Sequence, residues 1–257
     1  MKRIHIAAGS ALTVLVGFAA ATAAYAALRL RAADRLGRSG VPFDRQAQAE
    51  GARLLVVGDS TAVGAGASAP GCSLPGLLSR ANPSLSVVHR GEPGAGFEDT
   101  LAQLAGDERF DAVLVLVGAR DVLRLASGRR LRDSVQRVAQ RARLHAEVVV
   151  FMPPGNLGNA AFVLPPWNWC LGLLSRRLDA MVGEVAQANG AQHVSMFRSR
   201  DDDPFARHPK RLHASDGLHP SDAGYELWQR ELEIQAQLSA RLRRIGRSAA
   251  SRSSSAF

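Results

Sequence analysis

The chain has 257 residues, 46% of them hydrophobic, with 24 Gly, 12 Pro and a formal charge of +9. That composition belongs to a globular protein with room for one domain and a full hydrophobic core, and it excludes disorder throughout. Arginine is spread along the chain while lysine occurs only at Lys2 and Lys210, and no nucleic-acid motif spacing appears, so the charge is read as compositional bias and no nucleic-acid partner is expected.

Residues 6–28 carry no charge and follow the basic group Lys2, Arg3 and His5. The run is long enough to span a bilayer, which takes about 20 apolar residues, and it ends in Ala24-Tyr25-Ala26, a pattern a signal peptidase can cut. Residues 1–28 are therefore expected to be either a membrane anchor or a signal peptide. The anchor is favoured because the run exceeds the usual signal core and Arg29 and Arg31 follow at once. Arg29, Arg31, Arg35 and Arg38 compete with the basic N-terminus in setting orientation, and the body is expected outside the cytoplasm. Residues 29–52 read as a linker, most clearly the polar stretch 38–48.

From Arg53 short apolar runs alternate with helical patterns. Strands are expected at 53–57, 85–89, 111–117, 147–152 and 192–196. Helices are expected at 74–79, 97–104, 131–144 and 171–189, with a last one from Ser221 toward Arg241. Continuous apolar strands alternating with helices predict a three-layer α/β domain over 53–243, its parallel sheet of about five strands covered on both faces. The Ser- and Arg-rich residues 244–257 are expected to be disordered. Cys72 and Cys170 are too few for a disulfide framework and lack zinc-site spacing; they either form one bridge or remain free thiols. No metal or cofactor site is expected, and the oligomeric state is open.

In an open parallel sheet the ligand site lies beyond the carboxyl ends of the strands. The first strand runs into Gly58-Asp59-Ser60-Thr61-Ala62-Val63-Gly64, which places a hydroxyl in a glycine-flanked turn. Ser60 is there either to react or to cap the following helix. Near the other end, Ala214-Ser215-Asp216-Gly217-Leu218-His219-Pro220-Ser221 precedes the last helix. A carboxylate three residues before an imidazole can hold one ring nitrogen and leave the other to take a serine proton.

These two blocks resemble those of the GDSL/SGNH hydrolases, and the likeness extends from Arg53 through the helix after His219. It implies a flavodoxin-like fold and metal-free, cofactor-free hydrolysis of esters or thioesters. Ser60 would be the nucleophile and, through its N–H, an oxyanion donor; His219 would be the base and Asp216 its partner. The second block of that family is similar to His89-Arg90-Gly91-Glu92-Pro93-Gly94, so Gly94 is the matching oxyanion donor, with Gly91 and Gly96 as alternatives and His89 where the family commonly has Asn. The third block departs: Gly118-Ala119-Arg120-Asp121 carries Arg120 where the family has an Asn whose amide donates to the oxyanion. Arg120 either supplies a charged donor or turns away to pair with Asp121 or solvent. Asn156, in the loop after the fourth strand, is a candidate replacement. Phe162, Leu164, Trp167 and Trp169, in the long loop reaching 165–169, either accept an acyl chain, seat the body on a bilayer, or pack. The expected substrate is a lipid-like or short acyl ester, with an O-acetylated carbohydrate second. A weakened hydrolase serving as a binding protein is the reading from another class.

Overall fold

The computed structural model describes residues 2–47, 51–126 and 128–254, with side chains left out at 2–12, 14 and 248–254. In chain order the elements are α1 (Lys2–Arg38), β1 (Arg53–Gly58), α2 (Ser60–Val63), α3 (Leu74–Ala81), β2 (Ser86–His89), α4 (Phe97–Gln103), β3 (Ala112–Leu116) and α5 (Ala119–Leu123). There follow α6 (Gly128–His145), β4 (Val148–Phe151), α7 (Trp167–Ala188), β5 (Gln192–His193), α8 (Pro204–Arg207), α9 (Pro209–Leu212), α10 (Asp222–Ala236) and α11 (Leu238–Ser254). The five strands form one parallel sheet in the order β2-β1-β3-β4-β5. This is the flavodoxin-like order, whose ligand crevice opens where connections leave β1 and β3 in opposite directions.

Alternation along the strands builds two cores. Leu55, Val57, Val113, Val115, Val149 and Phe151 face one layer, with Phe97 of α4, Val135 of α6 and Val182 of α7. Leu54, Val56, Leu114, Leu116 and Val150 face the other, with Leu78 of α3, Tyr225 of α10 and Leu242 of α11. Side chains buried on both faces are why these strands read as continuous apolar runs. The edge strand β2 is covered too, because Arg45 exchanges backbone hydrogen bonds with Val87 at 3.0 and 2.8 Å.

Four expectations are corrected. Residues 29–38 are helical, not linker: Ala, Leu and Arg favour helix, and Arg38 Nε donates to Asp34 one turn back at 3.0 Å. The last expected strand, 192–196, keeps only two ladder residues, with Ser195 instead bonded through its backbone to Gln235. α7 starts at Trp167, taking Trp167 and Trp169 out of the loop: a turn at Pro165-Pro166, closed by Trp167 N donating to Leu164 O at 3.0 Å, leads directly into the helix with Pro166, already in helical conformation, at its cap. The tail expected to be disordered, 244–257, is helical through Ser254 as the continuation of α11, with Ile245 packed on the core; 255–257 lie outside the described residues. Among the described residues no helix is long and apolar enough to cross a membrane. Cys72 and Cys170 are free thiols.

Candidate active site

β1 ends at Gly58 with φ +136°, where a Cβ would stand 1.8 Å from Leu116 O, so only glycine lets the chain turn out of the sheet there. Asp59, 3% exposed, caps α2: its Oδ1 accepts from Thr61 N at 2.9 Å and from Thr61 Oγ1 at 2.7 Å. Burial pushes the Asp59 carboxyl up, against those hydrogen bonds. With the cap supplied by Asp59, the Ser60 hydroxyl is released from that task. It lies 2.8 Å from His219 Nε2.

His219 sits in the loop between α9 and α10, closed by the bridge between His213 and Pro220 and by Ala214 N donating to His219 O at 2.8 Å. Asp216 Oδ2 is 2.5 Å from His219 Nδ1, while its Oδ1 accepts from Leu218 N and His219 N at 2.9 and 3.1 Å. Burial pushes the Asp216 carboxyl up, but the His219 hydrogen bond and charge and these amides outweigh it and hold the group below the usual carboxylate range. Gly66, φ +90°, brings this loop against the α2 turn, since a Cβ there would fall 2.4 Å from Pro220 O and 3.0 Å from His219 Cβ.

Of the three candidate glycines after β2, Gly96 commits its N–H to Asp99 at 2.8 Å, and Gly91 is pressed beneath α2, where a Cβ would meet Ala62 at 2.8 Å. Gly94, φ +74°, lines the cavity in front of Ser60. Arg120 also lines that cavity, but its guanidinium is ion-paired with Asp99 rather than with Asp121. Asp121 instead accepts from Phe97 N at 3.2 Å, and burial, assisted by the charge of Asp59, pushes its carboxyl up to about 6. Asn156 also lines the cavity, but its amide is engaged elsewhere: Oδ1 accepts from Gly158 N in its own loop at 3.0 Å and Nδ2 donates to Arg198 O, in the segment after β5, at 3.2 Å.

The cavity measures about 540 Å³ and joins Ser60 and His219 to Leu123, Leu157, Ala160 and Met196. Phe162, Leu164, Trp167 and Trp169 do not line it, which corrects the acyl-acceptor expectation. Phe162 is buried in the core, Trp167 Nε1 donates to Ala19 O at 3.0 Å, and Trp169 is 70% exposed. Sequence reading missed the wall contributed by α1 and the pocket-lining His213, whose ring stacks edge-on against Phe205 at 5.0 Å and whose burial lowers its basicity. Helical spacing through residues 29–38 was the available signal for α1.

A doubly wound sheet with a serine, an imidazole and a carboxylate in one hydrogen-bonded chain at its β1 switch point defines the hydrolase class of α/β proteins. The model of the GDSL-like Lipase/Acylhydrolase family matches residues 56–227, more than half of the chain, and the chain belongs to that family, the GDSL/SGNH class of ester hydrolases. Among curated proteins no sequence matches. Solved structures with the same fold include a lipolytic G-D-S-L protein from Veillonella parvula, with TM-score 0.57, 13% identity, and coverage of 72% of this chain and 98% of that one. Phospholipase A1 from Streptomyces albidoflavus has TM-score 0.53 and 16% identity, covering 72% and 100%. The psychrotrophic esterase EstA from Pseudoalteromonas, inhibited by monoethylphosphonate, has TM-score 0.51 and 16% identity, covering 72% and 96%. At such identities the likeness concerns the fold.

Proposed function

We propose that the chain hydrolyses carboxylic esters with apolar acyl groups, Ser60 acting as nucleophile, His219 as general base and Asp216 as the group that orients it. The observation that carries this reading is the chain from Ser60 Oγ to His219 Nε2 at 2.8 Å and from His219 Nδ1 to Asp216 at 2.5 Å. As the Oγ–carbon bond forms, the hydroxyl proton passes to Nε2, and the carbonyl oxygen takes the negative charge. That charge is met by the N–H groups of Ser60 and Gly94. The imidazolium then protonates the leaving alcohol as its C–O bond breaks. A water, deprotonated by His219, attacks the acyl-enzyme, releases the acid and restores Ser60. Throughout, an ionised Asp216 stabilises the imidazolium, in keeping with its lowered proton affinity.

An apolar acyl group is favoured because most of the surface the cavity exposes is apolar, with Leu30, Leu123, Leu157, Ala160 and Met196 on its walls, and its volume lies in the range of ligand pockets, roughly 300–1,000 Å³. The phospholipase A1 activity of the structural relative from Streptomyces albidoflavus points the same way. A fluorophosphonate probe should form one adduct, on Ser60, and Ser60→Ala should lower p-nitrophenyl butyrate turnover by about 1,000-fold or more. Folded protein that takes up no probe and turns over no ester would reverse the reading.

A further inference from the structure

We infer that the C-terminal turns of α1 form a wall of the ester-binding cavity and that Gly37 sets the clearance at the reacting carbonyl. This rests on the esterase reading above, and it concerns a segment that precedes the family match at residue 56. Leu30, Ala33, Asp34, Gly37 and Arg38 line the same cavity as Ser60 and His219. Their spacing of three, four, seven and eight residues is one face of a helix, so the whole of that face is turned to the cavity.

Gly37 lies against the reacting pair. A Cβ placed there would stand 3.2 Å from Ser60 Cβ, 3.6 Å from His219 Cε1 and 3.7 Å from His219 Nε2. Glycine is among the poorest helix formers, and here it lets the helix backbone lie directly against the two groups that react. Ala33, one turn back, is 1% exposed and likewise small. The helix is fastened along its length. Trp167 Nε1 donates to Ala19 O, Arg29 Nη2 donates to Asp216 O at 3.2 Å, and Ala26 and Leu30 pack on the core. Beyond it Gly40 continues the contact, its Cβ position 3.1 Å from Val63. A substrate acyl chain would therefore run between α1 and the loops after β2 and β4, with its width at the carbonyl limited by Gly37.

Two measurements on the full-length chain test this. Gly37→Val should lower kcat/KM for p-nitrophenyl octanoate at least tenfold and slow fluorophosphonate labelling, while Arg31→Ala, on the exposed side of the helix, leaves both unchanged. Independently, with Cys72 and Cys170 replaced by Ser, Leu30→Cys should be modified by octyl methanethiosulfonate with at least a tenfold fall in octanoate turnover. Prior reaction of Ser60 with a long-chain fluorophosphonate should protect the introduced thiol. An active, labelled parent whose position-37 variant and alkylated position 30 both keep full turnover overturns the wall alone. A folded parent that neither reacts with the probe nor turns over ester overturns the esterase reading and the wall with it.

Discussion

Asp59 and Ser60 divide two tasks that a single serine at a helix start would have to share. The carboxylate satisfies the α2 amide, and the hydroxyl is left to His219. Local motifs made Ser60, His219 and Asp216 legible, because an Asp three residues before a His meets it through short-range loop geometry. The oxyanion residues were not legible in the same way. Choosing among Gly91, Gly94 and Gly96 depends on which N–H is already bonded, and the acceptor of Gly96 is the side chain of Asp99. Asp99 is also the partner of Arg120, so that arginine joins α5 to α4. Both side chains are partly exposed, at 30% and 48%, and such a pair stabilises by no more than about 1 kcal/mol. Arg120→Ala is therefore expected to change ester turnover less than threefold. Arg120→Asn, which offers a neutral amide at the same position, is expected to raise kcat about tenfold or more, since an oxyanion donor is typically worth 100-fold or so. Steady-state kinetics on one p-nitrophenyl ester decides both, and a collapse of turnover in Arg120→Ala would return the guanidinium to the oxyanion.

At the scale of elements, the buried parallel strands were the most readable feature, since runs such as Leu54 to Val57 tolerate no polar residue on either face. Element ends were less readable. α1 was expected to stop with its uncharged stretch, yet charge does not end a helix when Arg and Asp pair along its surface, and it continues to Arg38. α7 gained a turn because Pro166 can head a helix as readily as close a loop. The β1–α2 junction is the most constrained of these boundaries. Gly58→Ala would force a Cβ into Leu116 O at a φ of +136°, and a loss of about 3 kcal/mol or more is expected, together with loss of activity. Chemical denaturation of the variant measures it; a loss under 1 kcal/mol would show that the junction can relax.

For the molecule as a whole, packing of α4, α5 and the β1 turn encloses a second carboxylate beside the first. Asp121, with its carboxyl raised to about 6, holds a proton more tightly folded than unfolded. Its contribution to stability is therefore full below about pH 4 and is lost as pH rises through 6. Asp121→Asn removes that loss while keeping an acceptor for Phe97 N. Its stability relative to the parent should rise between pH 4 and 6 by on the order of 1–2 kcal/mol and then level off. Thermal unfolding across that range checks the sign, and a parallel pair of curves would contradict it.

Sequence by itself determined the α/β class, the sheet of about five strands, the family, and the residue types at the ends of β1 and before α10, because each depends on periodicity or on neighbours within a few positions. Tertiary structure alone decided that Asp99 claims Arg120, that Asn156 ties its loop to Arg198, that Gly94 faces the cavity, and that α1 lies over Ser60. Those outcomes turn on contacts between segments far apart in the chain, where the position of a donor or a missing Cβ acquires meaning only when another element is packed against it.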